Sequence, residues 1–519
     1  MNNQDEMFFK KLHDRRSRVA DALDDPCARG YKDSVVDKYT DQAHFIYELL
    51  QNADDAKASA ARFILKKDSL IFAHNGKRQF SISNPDTEDA DSKNGSLGDV
   101  NAITSIANSN KTNKLNTIGK FGVGFKAVFQ YTVTPRVYSE AFNFEIDRFI
   151  VPTIIDDCKL RKQGETLFVF PFNYPVRPPQ VAYADISNKL KNLSYPLLFL
   201  TNLKSIEFEF ESDDTLGLYG KRVIKEYTFN ETRAELIELI QNDGEKMYEE
   251  RLWLFTRTEN NLSYSVGYFI DSEGKIVCVH KPAFCFFPTK EDTRLNFIVH
   301  APFLLNDSRE GIVADRDHNK KMISKLASLA GDTMVYLREI GEQQKLRLID
   351  DDIIYIVPTD ISVFSEIDDK DKISFRPFFD EIKKAFTENE LLPTADGYTK
   401  TESAYWAAVP PLTHLFSDEQ LSVLSKDDSA KWVFRTIGRD DTLRANKALA
   451  EYIDSIVKTN INEDAILQGR RGFYYDRTGA KRENVSIEGI TADFIEKQDF
   501  TWLVDFYKWI SDSNPRKRR

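Results

Sequence analysis

Residues 47–57 read YELLQNADDAK, and the spacing of their polar positions decides how the first part of the chain is read. On a helix that advances about 100° per residue, Glu48, Asn52 and Asp55 fall within an arc of roughly 60°, while Leu49 and Leu50 point elsewhere. A carboxylate, an amide and a second carboxylate thus share one face. Apolar positions at Phe45, Ile46, Leu49, Leu50, Ala53 and Ala56 recur at helical spacing and predict a helix over 36–60, after an earlier one over 8–24. A polar helix face alone is most often solvated, so this pattern needs a second signal.

That signal lies in IGKFGVGFKAVFQY at 118–131. Gly119, Gly122 and Gly124 precede an apolar helical run. Glycines there let backbone N–H groups approach a phosphate at a helix N-terminus, where the dipole also favours anions. The same spacing fits a tight turn with close helix packing. Between the two signals stand strand-like runs, Ala61 to Leu65 and Leu70 to Ala73, and an N-G turn in His74, Asn75 and Gly76. Residues 84–117 are then rich in Asn, Asp, Ser, Lys and Gly around a short apolar stretch, Val100 to Ala107. Loops of that length inside a domain are usually functional or disordered. The flanking motifs favour a lid over about 86–118 that carries one helix.

After a helix ending near Tyr131, strands are expected in RVYSEAFNFEIDRFIVP and ETLFVFPF, and a helix in DISNKLKNLSYPLLFL closes a first domain at 1–202. Strand-rich sequence from Leu203 ends in the helical run HNKKMISKLASLAGDTMVYLREIGEQQ, which places a second domain at 203–346. Residues 347–519 are mixed, with helices expected in FRPFFDEIKKAFTE, LRANKALAEYIDSIVK and ADFIEKQDFTWLVDFYKWIS, and Trp406, Trp502 and Trp509 read as core anchors. The 519 residues are 41% hydrophobic, enough for several cores. A net charge of −11 argues against general affinity for nucleic acid or anionic membrane. The four cysteines are scattered, and the seven histidines show no H-E-x-x-H, so neither a disulfide framework nor a zinc centre is indicated. With no secretory signal and no run of about 18 apolar residues, a soluble cytoplasmic protein without membrane attachment is expected.

In combination and in this order the motifs resemble the GHKL ATPases, the superfamily of gyrase, the dimeric heat-shock chaperone, histidine kinases and MutL. They comprise E-x-x-x-N-x-x-D-A on a helix, a strand leading to an N-G turn, a polar lid, G-x-x-G-x-G-F and a later Gly-x-Thr strand. ELLQNADDA with HNG, IGKFGVGFK and FFPTK is most similar to the sacsin-type branch. The nucleotide motifs cover residues 36–170, and a weaker similarity extends to 320.

The resemblance implies an α/β fold: a two-layer α/β sandwich of the Bergerat type, then a transducer-like α/β middle domain and a mixed, largely helical C-terminal region for partner coupling. It implies ATP and Mg²⁺ as cofactors. Glu48 matches the general base that activates water, Asn52 the Mg²⁺ ligand, and Asp55 a support for the sugar or the helix. Gly119, Lys120, Phe121, Gly122, Val123, Gly124 and Phe125 match the phosphate cradle, with Lys126 a charge partner for phosphate. Thr166 matches the threonine that bonds adenine through water. His74 stands where most members place Asp to accept the adenine amino proton. A neutral imidazole can accept through one nitrogen, whereas an imidazolium cannot. The alternative makes His74 a turn residue and leaves binding to Asn75, with Gly76 among the residues that match the nucleotide site in either case. Lys290 and Arg309 compete as the cation sent to the γ-phosphate.

The expected activity is slow ATP hydrolysis that closes the lid and re-sets the second domain. It is accompanied by a nucleotide-dependent homodimer and an unidentified protein partner, in a chaperone-like or anti-phage defence role. The competing expectation is a nucleotide-responsive scaffold with little or no turnover. Glu48 argues against that one, since binding alone needs no base.

Overall fold

Asn2 opens the first helix, α1 (Asn3–Leu23), by accepting the backbone N–H groups of Gln4 and Asp5 at 3.0 and 2.8 Å, satisfying donors that every helix N-terminus leaves free. The computed structural model describes residues 1–25, 45–105, 124–306, 310–367, 369–475 and 481–513. They form a mixed α/β architecture with a large mixed sheet. The chain divides into two compact units. One is Met1–Tyr264 with Pro282–Glu291 and His300–Ile312; the other is Ser265–Lys281 with Asp292–Val299 and Val313–Arg519.

In the first unit α2 (Phe45–Asp55) leads into a hairpin of β1 (Ala60–Lys66) and β2 (Ser69–His74). The strands that follow are β3 (Arg136–Ser139), β4 (Phe142–Asp147), β5 (Val151–Ile154), β6 (Thr166–Pro171), β7 (Ser205–Phe210), β8 (Thr215–Phe229), β9 (Thr232–Asn242) and β10 (Met247–Glu259). They run side by side in the order β10-β9-β8-β7-β1-β2-β6-β3-β4-β5. Strand β2 pairs antiparallel with both β1 and β6, and β1 pairs parallel with β7.

Successive strand residues face opposite sides of a sheet, and the two sides of β2 and β6 carry different cores. Leu70, Phe72, Phe168 and Phe170 join Phe45, Leu49, Leu50 and Ala53 of α2 in one cluster. Ile71, Ala73 and Leu167 form a second cluster with Tyr138. Because β7 joins β1 directly, the sheet runs on past residue 202, and the expected boundary at 202/203 falls inside the first unit.

The expected lid begins as folded structure. A 3-10 turn at Pro85–Thr87 leads into α3 (Glu88–Asn94) and α4 (Asp99–Ile103), two helices where one was expected. Residues 106–118 of that segment lie outside the described residues.

The second unit contains the 28-residue helix α6 (Asp317–Gln344), numbered after α5 (Pro179–Lys191) of the first unit. It also has a helix at Arg376–Glu388 and a small parallel sheet in which Ala404–Ala407 lies between Lys431–Val433 and Thr459–Ile461. The expected helix at 443–458 divides at Asn446, whose side chain caps the second piece through Leu449 N at 3.1 Å. Trp406 is fully buried, and Trp502 and Trp509 pack on the core around Phe416, so all three serve the fold. Among the described residues no helix is long and apolar enough to cross a membrane.

Candidate functional site

Helix α2 is buried from Phe45 through Asp54, on its polar face as well as its apolar one. Glu48 and Asn52 are 6% and 5% exposed. Burial without a partner is costly for an amide and more so for a carboxylate, so a helix of this kind calls for an explanation. Asn52 makes no side-chain hydrogen bond among the described residues. Asp55, at the end of the helix, is half-buried.

The neighbouring Asp54 has a different task that the sequence did not single out. Its carboxylate accepts from the backbone N–H groups of Thr201, Asn202 and Leu203 at 3.1, 2.7 and 2.8 Å. It thereby ties the end of α2 to the segment that enters β7. Three N–H donors on one carboxylate are a strong, charge-assisted clamp, and Asp54 belongs to the fold.

One turn beyond Asn52 the chain meets the N-G turn. Arg78 N donates to Ala56 O at 3.2 Å. A Cβ on Gly76 would lie 2.8 Å from both Ala56 Cβ and His74 Nδ1, so the turn comes this close to α2 only with glycine there. Asn75 is occupied: its amide oxygen accepts from Ser59 N and Ala60 N at 2.9 and 3.0 Å, and its nitrogen donates to Ser59 Oγ at 2.9 Å. It caps the start of β1.

His74 closes β2 on the side of Leu70 and Phe72 and is 4% exposed. Its ring neighbours those of Phe72 and Phe168, with centroids at 5.9 and 6.3 Å. Burial, reinforced by the Arg78 charge and opposed by Glu165, lowers its pKa to about 4. The imidazole is therefore neutral near pH 7. Opposite it in the ladder stands Thr166. The Thr166 hydroxyl lies 3.4 Å from both Gln79 Oε1 and Ser139 Oγ, and Ser139 donates to Gln79 Oε1 at 2.8 Å. Gln79 and Ser139 were not anticipated, since nothing in KRQF or VYSE marks them as site residues.

The glycine-rich segment reaches the same core at its end. Gly119, Lys120, Phe121, Gly122 and Val123 lie outside the described residues. Gly124 begins a 3-10 helix, Gly124–Gln130, and Phe125 packs on Phe168 and Phe170 at 6.1 and 6.2 Å. Lys126 is turned inward, away from any phosphate role. Its Nζ donates to Ile103 O and Phe149 O at 2.9 and 2.8 Å, over the rings of Phe129 and Phe149. Burial lowers its pKa to about 7.

One further element approaches α2. The strand Phe287–Asp292 brings Phe287 against Tyr47, next to Glu48, with ring centroids 4.4 Å apart. Lys290, three residues on, is 72% exposed in its side chain and pairs with Glu310 at 2.8 Å. Its competitor Arg309 lies outside the described residues. Elsewhere in the first unit Arg16 of α1 binds Glu88 of α3 through both terminal nitrogens, at 2.7 and 3.2 Å. Asn101 of α4 adds a bond to Glu88 at 3.0 Å.

Chemically the arrangement offers a buried carboxylate, a buried amide without a hydrogen-bond partner among the described residues, and a neutral imidazole. An uncommitted amide oxygen is a suitable hard ligand for Mg²⁺, which accepts few protein ligands alongside phosphate and water. Among the described residues no group of three or more His, Cys, Asp or Glu could hold a metal by itself.

Residues 31–151 match the Sacsin domain family model. Protein NO VEIN of Arabidopsis thaliana is 25% identical over 331 residues, which is 57% of this chain and 11% of that protein. The chain thus spans about a tenth of the length of this curated relative. Both similarities support a relation to sacsin, and the family match takes in Glu48, Asn52, His74 and Lys126 together.

Proposed function

We propose that the first unit is a Mg²⁺-dependent ATP-binding module of the GHKL type, in its sacsin-like branch, and that it hydrolyses ATP slowly. The observation that carries this reading is the burial of Glu48 and Asn52 on α2, against a glycine turn and beside a match to the Sacsin domain. The fold it supposes is the two-layer α/β sandwich, with the nucleotide between α2 and the glycine-rich segment 119–125. Asn52 would hold Mg²⁺, which when bound neutralises charge on the phosphates. Glu48 takes a proton from a water whose oxygen attacks the γ-phosphorus while the bond to the ADP oxygen breaks. Lys290 or Arg309 supplies positive charge to the departing phosphate. Closing of the segment that begins at α3, rearrangement of the later domains and dimerisation follow the nucleotide state. The work done is chaperone-like or defensive, on a protein partner.

The test is Mg²⁺-dependent ATP binding and phosphate release by the purified chain at several concentrations. Glu48→Ala is expected to keep ATP affinity within threefold and to lose at least a hundredfold in turnover. A rate per molecule that rises with protein concentration supports the dimer. Binding without turnover in the unaltered chain moves the function to a nucleotide-responsive scaffold, and absence of binding removes the reading.

A further inference from the structure

His74 is the one site residue whose protonation pattern can be deduced from its neighbours. The Gly76 backbone N–H points to Nδ1 at 3.1 Å. A backbone N–H can only donate, so Nδ1 carries the lone pair and the single proton of the neutral ring sits on Nε2. The close approach of Gly76 to Nδ1 and the neighbouring rings of Phe72 and Phe168 fix this orientation. Reversing the ring by 180° would set carbon against the Gly76 N–H and leave a buried donor unanswered. Nε2–H itself has no hydrogen-bond partner among the described residues. The polar groups nearby are occupied with one another: Ser139 donates to Gln79 Oε1 at 2.8 Å, and Gln79 Nε2 donates to Gly76 O at 3.3 Å.

The imidazole therefore offers a donor, unpaired among the described residues, where a carboxylate would offer an acceptor. Adenine carries a donating amino group at position 6, whereas guanine and hypoxanthine carry a carbonyl there. Donor against donor loses a hydrogen bond and leaves two buried N–H groups unpaired; donor against carbonyl satisfies both. We propose that His74 reads the base as a hydrogen-bond donor from Nε2, so that the site takes 6-oxopurine triphosphates at least as well as ATP. This inference rests on the nucleotide-binding reading above and sharpens its substrate class.

The experiment is calorimetric binding of ATP and ITP, each with Mg²⁺, to the full chain and to His74→Asp. ITP differs from ATP at the 6-position edge without adding the 2-amino group of guanine. The expected result is that ITP binds the unaltered chain at least as tightly as ATP, and that His74→Asp moves the ratio of affinities at least tenfold toward ATP. A preference for ATP in the unaltered chain overturns the inference while leaving the nucleotide reading intact, as does an unmoved ratio in a folded His74→Asp. Should that variant not fold, purine riboside triphosphate, with only hydrogen at position 6, tests the same bond on the unaltered chain. ITP is expected to bind at least fivefold tighter than this analogue, and equal affinity overturns the assignment. If none of the three triphosphates binds, the nucleotide reading itself falls.

Discussion

Around Arg16 the buried polar groups answer one another, apart from Arg16 Nε, which has no partner among the described residues. The guanidinium meets Glu88, Glu88 meets Asn101, and Asn101 holds both Ser83 O and Ser83 N, at 3.1 and 2.9 Å. Lys126 closes the neighbouring gap on two carbonyls. Around Asn52 and His74 the groups are as deeply buried, yet the Asn52 amide and the His74 Nε2–H have no such answer among the described residues. Evolution of a stable fold removes unpaired buried polar groups unless something else pairs them. The contrast separates residues that hold the protein together from residues that, on the proposed function, are kept for a ligand, although both look alike by burial.

The comparison can be broken by mutation. Arg16→Met leaves the buried Glu88 carboxylate with only Asn101 and the more distant Arg15, and a loss of about 3 kcal/mol in denaturant unfolding is expected. Lys126→Met leaves two carbonyls unanswered and should cost about 2 kcal/mol. That variant also carries a pH signature. Burial holds the Lys126 pKa at about 7 in the folded chain, against an ordinary value of 10.5. Between these values the unfolded chain binds more protons than the folded one, so stability rises with pH across that window. Lys126→Met should flatten that slope in unfolding series from pH 7 to 10. Asn75→Ala removes the bonds that cap β1, at an exposed position, and should cost about 1 kcal/mol. Asn52→Ala is expected to change stability least, by under about 1 kcal/mol, because its amide has no bond among the described residues. Its effect should appear as a tenfold loss of Mg·ATP affinity with metal-free nucleotide nearly unchanged. If Asn52→Ala instead destabilises as much as Arg16→Met, the distinction between the two clusters disappears.

Local patterns in the sequence carried α2, the β1–β2 hairpin and the N-G turn, because helical period, alternation and glycine chemistry act over a few residues. They also put Glu48 and Asn52 on one helix, where both are buried. They could not tell Asp54 from Asp55: one step of about 100° decides which carboxylate clamps residues 201–203, and the partner lies far along the chain. For the same reason the pairing of β7 with β1 was illegible, and a boundary was set where the sheet continues. Lys126 read as a phosphate contact because the glycines precede it. Only the positions of Ile103 and Phe149 show that its charge is spent inside. Asn75 was misjudged in the same way, its partners Ser59 and Ala60 standing on the far side of the hairpin.

The Asp54 clamp also sets a timetable for synthesis. Its partners stand 147 to 149 positions downstream, and β7 arrives with them. At about 5–20 residues per second, the ribosome delivers them roughly 7 to 30 seconds after Asp54. Through that interval β1 presents an unpaired edge, the kind of edge that recruits other strands. A chain cut at residue 202 keeps that edge open for good, so the shortest fragment worth expressing reaches beyond β7.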